Sequence, residues 1–423
     1  MKNNKVVYIK DMKRTNQVIF LNAIFYQKEM SRTELAEFTG LNPATVAVLT
    51  KELLDIKMIV EIWEITPNSG KKVTKVSLLQ INPHGGCICA VSVLSNTITY
   101  TLFNMQLDKI EEFIVENSEE IILQQLFENL VENIDLLLAN RPKVSKKLLG
   151  ISISIPREYD DMDRKVLLDT GVSADRMNLD FALGFKYKQP VFIEPTIHSR
   201  AIAEYYLGAA KNMEEFIFID VSEDIQTVVV QKGQIVKMPL VVHSNLGHII
   251  IDRNGPKCSC GQRGCLGVLV TTGAIVKRVK RELLGEKATL VHELSGGDMN
   301  QVNFDMIIRC TNEGDRFIED IIAKTAEMLC TGIFNMMALL NINNVVIDGK
   351  VGRLTNFSHA LAEAWGKHIL FQKERSCLLV TSLPLEEVNI GNGAIVLSTY
   401  LETGFIENEL AAYDSNYRKY EYK

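Results

Sequence analysis

Between Gly247 and Gly267 the chain reads GHIIIDRNGPKCSCGQRGCLG, and four of its side chains, His248, Cys258, Cys260 and Cys265, are the residue types of a closed metal site. No other feature restricts the fold as tightly. One imidazole and three thiols in the pattern His-x9-Cys-x-Cys-x4-Cys supply all four ligands of a tetrahedral structural zinc. They converge only if the loop between them doubles back. Gly261 and Gly264 permit that, because glycine takes left-handed backbone angles without steric cost. With four protein ligands no position remains for water, so the expected cofactor is Zn2+ in a structural, not hydrolytic, role. A chance grouping of core cysteines is the competing reading, and the polar, glycine-rich surroundings argue against it. Cys87, Cys89, Cys310, Cys330 and Cys377 lie mostly in apolar runs such as EMLCTGIFNMM and read as small buried hydrophobes.

A chain of 423 residues exceeds what one hydrophobic core usually supports, so two or three domains are expected. Its 47% hydrophobic and 23% charged content is that of an ordinary globular protein, and nothing in it suggests long disorder. There is no uninterrupted apolar run of about 18 residues, the length a membrane span needs. The opening MKNNKVVYIKDMKRTNQ lacks the apolar core and small-residue cleavage site of a signal peptide. A cytoplasmic location is expected, and in that reducing compartment the cysteines are not a disulfide framework.

Charge divides the chain unevenly. Residues 1–80 hold 12 Lys and Arg against 8 Asp and Glu, a net +4, which leaves −10 for the remainder of a chain whose total is −6. A basic N-terminal module on an acidic body points to a polyanionic partner. Periodicity then gives the module a shape. NQVIFLNAIFYQ puts Val18, Leu21, Ile24 and Phe25 on one helical face. SRTELAEFTG opens with Ser31 and Glu34 in a capping box and stops at Gly40. LNPATVAVLTKELLDIKM restarts with Asn42 as N-cap and Pro43 in the first turn, with Val46, Leu49 and Leu53 as its buried stripe. IVEIWEI and VTKVSLL alternate as strands around TPNSGKK. This is a winged helix-turn-helix, whose third helix enters the major groove of double-stranded DNA. A three-helix packing or protein-interaction module is the alternative. The basic wing, with an outward Thr45, Thr50 and Lys51, favours DNA. Arg32, Thr45, Lys51, Lys71 and Lys72 are candidate phosphate or minor-groove contacts, while Asn42 and the outer face of the third helix would read bases. Ala47 and Val48 stand where polar readers are usual, so contact with thymine methyl groups is expected to contribute.

From about Gly85 strands and helices alternate. CICAVSVLSNTITYTLFNM, KKLLGISISIP, QPVFIEP, FIFIDVSEDIQTVVVQKGQIV and NINNVVIDGKVG read as strands, and IIAKTAEMLCTGIFNMMALL as a long helix, which indicates α/β architecture. A strand hairpin followed by helices occurs twice, the sign of two lobes around a cleft. A winged helix-turn-helix followed by an α/β body carrying G-H-x9-C-x-C-G-x2-G-C-L resembles the ROK family of repressors, open reading frames and kinases, and within it the repressor branch. The resemblance covers nearly the whole chain. It implies an actin-like, hexokinase-type body of two lobes, a sugar cleft between them, and a homodimer or tetramer.

The departures from the family pattern carry as much as the matches. Its kinases open with D-x-G-G-T; here the stretch is Ser92 to Thr97, SVLSNT. The second phosphate loop is normally glycine-rich; here it is DVSEDIQTVVV, where Glu223 and Asp224 would repel phosphate. The catalytic base belongs to E-N-D-A-N; here EPTIH, Glu194 to His198, puts Thr196 at the Asp position. Asn245 replaces the Glu of E-x-G-H, and Gly267 replaces the Glu that follows C-L. Three carboxylate acceptors for sugar hydroxyls are gone, at about 1–3 kcal/mol for each hydroxyl left unpaired. No catalytic residue is assigned. Glu194, Thr196, Asn245 and His248 are the candidate effector contacts, with His248 equally explained by zinc alone. Zinc either only secures its loop or links effector binding to the spacing of two DNA-reading helices.

The resulting expectation is a winged helix-turn-helix over residues 1–80, a first lobe over 81–195 completed by a C-terminal helix at 390–412, and a second lobe over 196–389 holding the zinc loop. Its function would be that of a DNA-binding regulator, a repressor of carbohydrate uptake or metabolism genes, acting as a dimer on a pseudo-palindromic operator and answering to a sugar effector. The alternatives are a sugar kinase with an appended helix-turn-helix, and a regulator controlled by a non-sugar ligand or a protein partner. The polar tail ENELAAYDSNYRKYEYK reads as a frayed helix without an assigned role.

Overall fold

The computed structural model describes residues 3–66, 74–94, 97–116, 123–155, 159–160, 165–166, 179–211, 213–236, 245–283, 289–367, 376–381, 383–384 and 387–403. These form two compact units, one running to Ser199 and resuming at Val388, the other from Arg200 to Glu387. Lys71, Lys72 and the tail at 407–423 lie outside the described residues, as do 404–412 of the expected C-terminal helix.

The N-terminal part of the first unit contains α1 (Asn3–Gln27), β1 (Glu29–Ser31), α2 (Arg32–Thr39), α3 (Pro43–Asp55), β2 (Ile59–Thr66) and β3 (Thr74–Ile81). Local chemistry fixes the helix ends. The Ser31 hydroxyl accepts the Glu34 N–H at 3.2 Å, the Glu34 carboxylate accepts the Ser31 N–H at 2.8 Å, and Gly40 closes α2 at φ +69°. Asn42 Oδ1 accepts the Thr45 N–H at 2.8 Å, with Pro43 in the first turn of α3. β3 pairs antiparallel with both β1 and β2, so the hairpin is a three-stranded sheet. Two details differ from the sequence expectation. The buried side of α1 is Phe20, Leu21, Ala23 and Ile24, while Val18 and Phe25 are half-buried. Thr50 is not outward but 2% exposed, because α3 buries a wider arc of Val46, Leu49, Thr50 and Leu53.

The rest of the unit contains β4 (Cys87–Val93), β5 (Thr97–Asn104), β6 (Lys109–Glu116), α4 (Leu123–Asn140), α5 (Pro142–Ser145), β7 (Leu148–Ile155), a small hairpin of β8 (Tyr159–Asp160) and β9 (Lys165–Val166), α6 (Leu179–Tyr187) and β10 (Val191–Pro195). The chain passes between units within α7 (Thr196–Tyr206). The second unit contains β11 (Glu215–Val221), β12 (Ile225–Gln231), β13 (Gln234–Ile235), α8 (Gly267–Val270), α9 (Thr272–Glu282), α10 (Leu290–Leu294), α11 (Phe304–Asn312), α12 (Arg316–Leu340), β14 (Asn344–Asp348), α13 (Gly349–Gly352), α14 (Phe357–Gly366) and β15 (Cys377–Val380). α15 (Val388–Thr403) belongs again to the first unit, where it packs on β4, β7 and α1.

The internal repetition is visible in the sheets. Their strand orders are β10-β7-β4-β5-β6 and β13-β12-β11-β14-β15. In each, the first strand of the series is central, an antiparallel meander lies on one side, and two parallel strands follow on the other. β4 is buried along its whole length, which its run of apolar and small residues allows. α15 is keyed to the first sheet by buried amides. The Asn392 amide donates to the Val91 carbonyl at 2.9 Å and to Ser154 Oγ at 3.0 Å, and the Asn389 amide donates to the Thr99 carbonyl at 3.1 Å. In the second unit the core gathers on α12, whose N-cap Asp315 accepts from the N–H groups of Phe317 and Ile318.

Candidate functional site

The metal-type cluster is shaped mainly by bonds within its own loop. The loop after His248 is folded by four backbone bonds of 2.8 Å: Ile251 N–H to the Gly264 carbonyl, Cys258 N–H to Gln262, Gly264 N–H to Pro256, and Leu266 N–H to Ile249. Gly264 sits at φ +65°, where a Cβ would overlap the Asp252 carbonyl oxygen. Gly261 sits at φ +90° with open space around it. The loop is anchored at its end by Leu266, fully buried against Gly332 of α12.

His248 Nδ1 lies 3.5 Å from Cys258 Sγ, and Cys260 Sγ lies 3.6 Å from Cys265 Sγ. All four donor atoms fall within 4.8 Å of one another. A tetrahedral site with Zn–S bonds of about 2.3 Å has edges of roughly 3.8 Å, so the donors stand where such an ion would hold them. The Cys260 N–H aimed at Cys258 lowers that thiol to about 6, while burial and the neighbouring thiols push Cys265 up to about 12. Three thiolates together therefore call for a cation. Cys258 and Cys265 are buried, and His248 and Cys260 face solvent. Of the remaining cysteines, Cys87, Cys89, Cys310 and Cys330 are buried and Cys377 is half-buried. Burial pushes the thiols of Cys87 and Cys330 up to about 12 and that of Cys310 to about 11.

The candidate DNA contacts fall into distinct groups. On α3, Asn42, Ala47, Val48 and Lys51 are exposed and Thr45 is half-buried. Arg32, however, is engaged within the module. Its guanidinium donates to Glu61 of β2 and Ser77 of β3, both at 3.0 Å, tying α2 to the wing strands. That role was not legible in the sequence, because Glu61 and Ser77 meet Arg32 only once the sheet forms.

The positions that the resemblance assigns to sugar and phosphate contacts lie in the two units separately. In the first, Glu194 is the next-to-last residue of β10, Thr196 starts α7, and His198 Nδ1 lies 2.7 Å from Glu194 Oε2. Thr196 Oγ1 is buried without a hydrogen-bond partner. A threonine there has no carboxylate to take a proton. In the second unit, Asn245 and His248 bound one 3-10 turn, and only the backbone of Asn245 is described. Gly247 and Gly267 pack backbone against backbone. The 220–224 stretch is a tight β11–β12 turn in which Lys350 Nζ holds the Glu223 carboxylate at 2.6 Å.

One buried cluster in this unit has no signature in the sequence. Asp220 and Asp348 face one another across the parallel strands β11 and β14, and the Arg200 guanidinium bridges them. Arg353 Nε adds a second contact to Asp348 at 2.8 Å. Burial still holds the Asp220 carboxyl above the ordinary carboxylate range, with Arg200 working in the opposite direction. Its members lie far apart in sequence, and only the strand register brings the two aspartates together.

Comparison with known proteins follows the same outline. The family model described as ROK family matches residues 90–399. The xylose repressor of Bacillus subtilis (strain 168) is 29% identical over 64% of this chain and 69% of its own. The DNA-binding transcriptional dual regulator NagC of Escherichia coli (strain K12) is 24% identical over 80% of this chain and 81% of its own. Among solved structures, a ROK family transcriptional regulator described as a homologue of the E. coli MLC protein superposes with a TM-score of 0.73 at 20% identity, covering 93% of this chain and 98% of that one. A ROK hexokinase from Thermus thermophilus reaches 0.60 at 21% identity over 75% of this chain and 99% of its own. The hexokinase match shows how far the body shares a kinase fold.

Proposed function

This chain belongs to the ROK family, and from that premise we propose that it is a DNA-binding transcriptional regulator, a repressor of genes for carbohydrate uptake or metabolism. The observation that carries this reading is the capped helix-turn-helix with its strand wing, α1 to β3, placed ahead of a family body. The relatives named as repressors support it. Residues 1–80 form the DNA-reading module. α3 enters the major groove, and Lys51, Lys71 and Lys72 hold phosphates. Arg32 serves first to fix the module, and Asn42 first to cap α3. A dimer or tetramer would present two such modules to a pseudo-palindromic operator.

The body, with its lobes over 81–195 and 196–389 and the first completed from 390 onward, is a sugar-kinase fold without kinase activity. Thr196 replaces the proton acceptor, and the 220–224 turn offers phosphate two carboxylates rather than a glycine cradle. Glu194, Thr196, Asn245 and His248 are the candidate contacts to a sugar effector. His248, Cys258, Cys260 and Cys265 hold a structural zinc, which fastens the loop to the second-unit core through Leu266. No helix among the described residues is long and apolar enough to cross a membrane.

The test is selection of genomic fragments by the purified protein at near-physiological salt, with ATP turnover measured on a panel of hexoses. Enrichment of one inverted repeat and no turnover are expected. Turnover above the uncatalysed background, or retention of DNA without sequence preference, would overturn the proposal.

A further inference from the structure

We propose, resting on the DNA-binding reading above, that α3 reads its operator through the 5-methyl groups of thymine, with Ala44, Ala47 and Val48 as the contact surface and no side chain making a bidentate hydrogen bond to a base. Two independent features of α3 lead there.

The first is which side chains remain outside. Val46, Leu49, Thr50 and Leu53 are buried, and Ala44, Ala47, Val48 and Lys51 are exposed on the opposite side, at the i, i+3, i+4, i+7 spacing of one helical stripe. Val48 is 55% exposed, an apolar side chain left in water on the second turn of the helix. In a helix-turn-helix the N-terminal half of the third helix meets the base edges. That half of this stripe carries only methyl-bearing side chains.

The second is that two polar groups flanking the stripe are already engaged. Asn42 Oδ1 caps the helix through the Thr45 N–H. Glu52 is held by Lys13 of α1 at 2.8 Å. Lys51 lies a turn farther along, a compact charge suited to phosphate rather than to the two-point reading of a purine edge. Thymine is the one base that places a methyl group in the major groove, beside a single acceptor. Small side chains at 44 and 47 let the helix backbone approach closely, and Val48 supplies the surface that the methyl groups cover.

Each buried methyl is worth about fourfold in affinity by the usual apolar transfer scale. The experiment uses the full chain. Random duplexes are selected for binding, and the enriched site is resynthesised with deoxyuridine, which lacks the 5-methyl group, in place of one thymine at a time. Two or three thymines per half-site are expected to lose about threefold to fivefold in affinity on replacement. Val48→Ala, checked for an unchanged unfolding temperature, is expected to erase the difference between thymine and deoxyuridine at one of those positions. Lys51→Ala is expected to weaken thymine and deoxyuridine sites alike and to reduce the salt dependence. An enriched site that tolerates deoxyuridine everywhere would overturn this inference and leave the regulator standing. Failure to enrich any sequence would overturn both.

Discussion

Two glycines three residues apart in the cysteine loop separate the cost of backbone angle from the cost of close packing. Gly261→Ala places an alanine at φ +90° with nothing within 4 Å of its new Cβ. The left-handed penalty is about 1–2 kcal/mol. Gly264→Ala bears the same kind of penalty at φ +65°, but its Cβ would also overlap the Asp252 carbonyl oxygen. The strand segments must then part, and the Ile251 and Asp252 N–H bonds to the Gly264 carbonyl, 2.8 and 3.2 Å long, are lost at about 1 kcal/mol each. The total is about 3–4 kcal/mol for Gly264→Ala against about 1–2 for Gly261→Ala. At roughly 2–4 °C per kcal/mol, the unfolding transition of the second unit should fall by about 6–16 °C in the first variant and about 2–8 °C in the second. Calorimetry with metal content measured on the same samples checks this, and Gly264→Ala should also release zinc more readily because Cys265 is its neighbour. Equal effects of the two substitutions would refute the packing argument.

Other expectations follow from named groups. Zinc retention should weaken as pH falls from about 7 to 5, since the metal binds the deprotonated ligands and the Cys258 thiol, lowered to about 6, takes up its proton across that range; equilibrium dialysis checks the sign. Burial raises the Glu204 carboxyl above its ordinary 4.5, with Thr381 and Ala209 as its hydrogen-bond donors. The folded state therefore holds the proton more tightly. The stability this contributes is complete below pH 4.5 and is lost as pH rises through the folded value, so Glu204→Gln should gain on the unaltered chain as pH increases. A flat difference between the two denaturation curves would contradict it. Thr50 Oγ1 is buried without a partner in α3. Thr50→Val should therefore raise the stability of the N-terminal module by about 1–2 kcal/mol, read by thermal or urea unfolding.

Much of the N-terminal module was legible in the sequence because its signals are local. Ser31 with Glu34, Gly40, and Asn42 with Pro43 each act within one turn of chain, and each forms the cap its spacing indicates. The cysteine loop is equally local, with its ligands and both glycines inside residues 248–265, and its four donors do come together. The repeated strand pattern likewise announced two sheets, since β-branched runs and their intervals survive without knowledge of pairing.

What the tertiary structure alone decided depends on partners far apart in the chain. Thr50 looks outward on a three-residue stripe, yet neighbouring elements bury a wider arc of α3 and enclose it. Arg32 reads as a free cation until β2 and β3 bring Glu61 and Ser77 to it. Asp220, Asp348 and Arg200 have no sequence pattern at all, because parallel register and not chain proximity sets the aspartates side by side. Periodicity and capping are properties of a few consecutive residues, whereas burial and charge pairing belong to the packed whole.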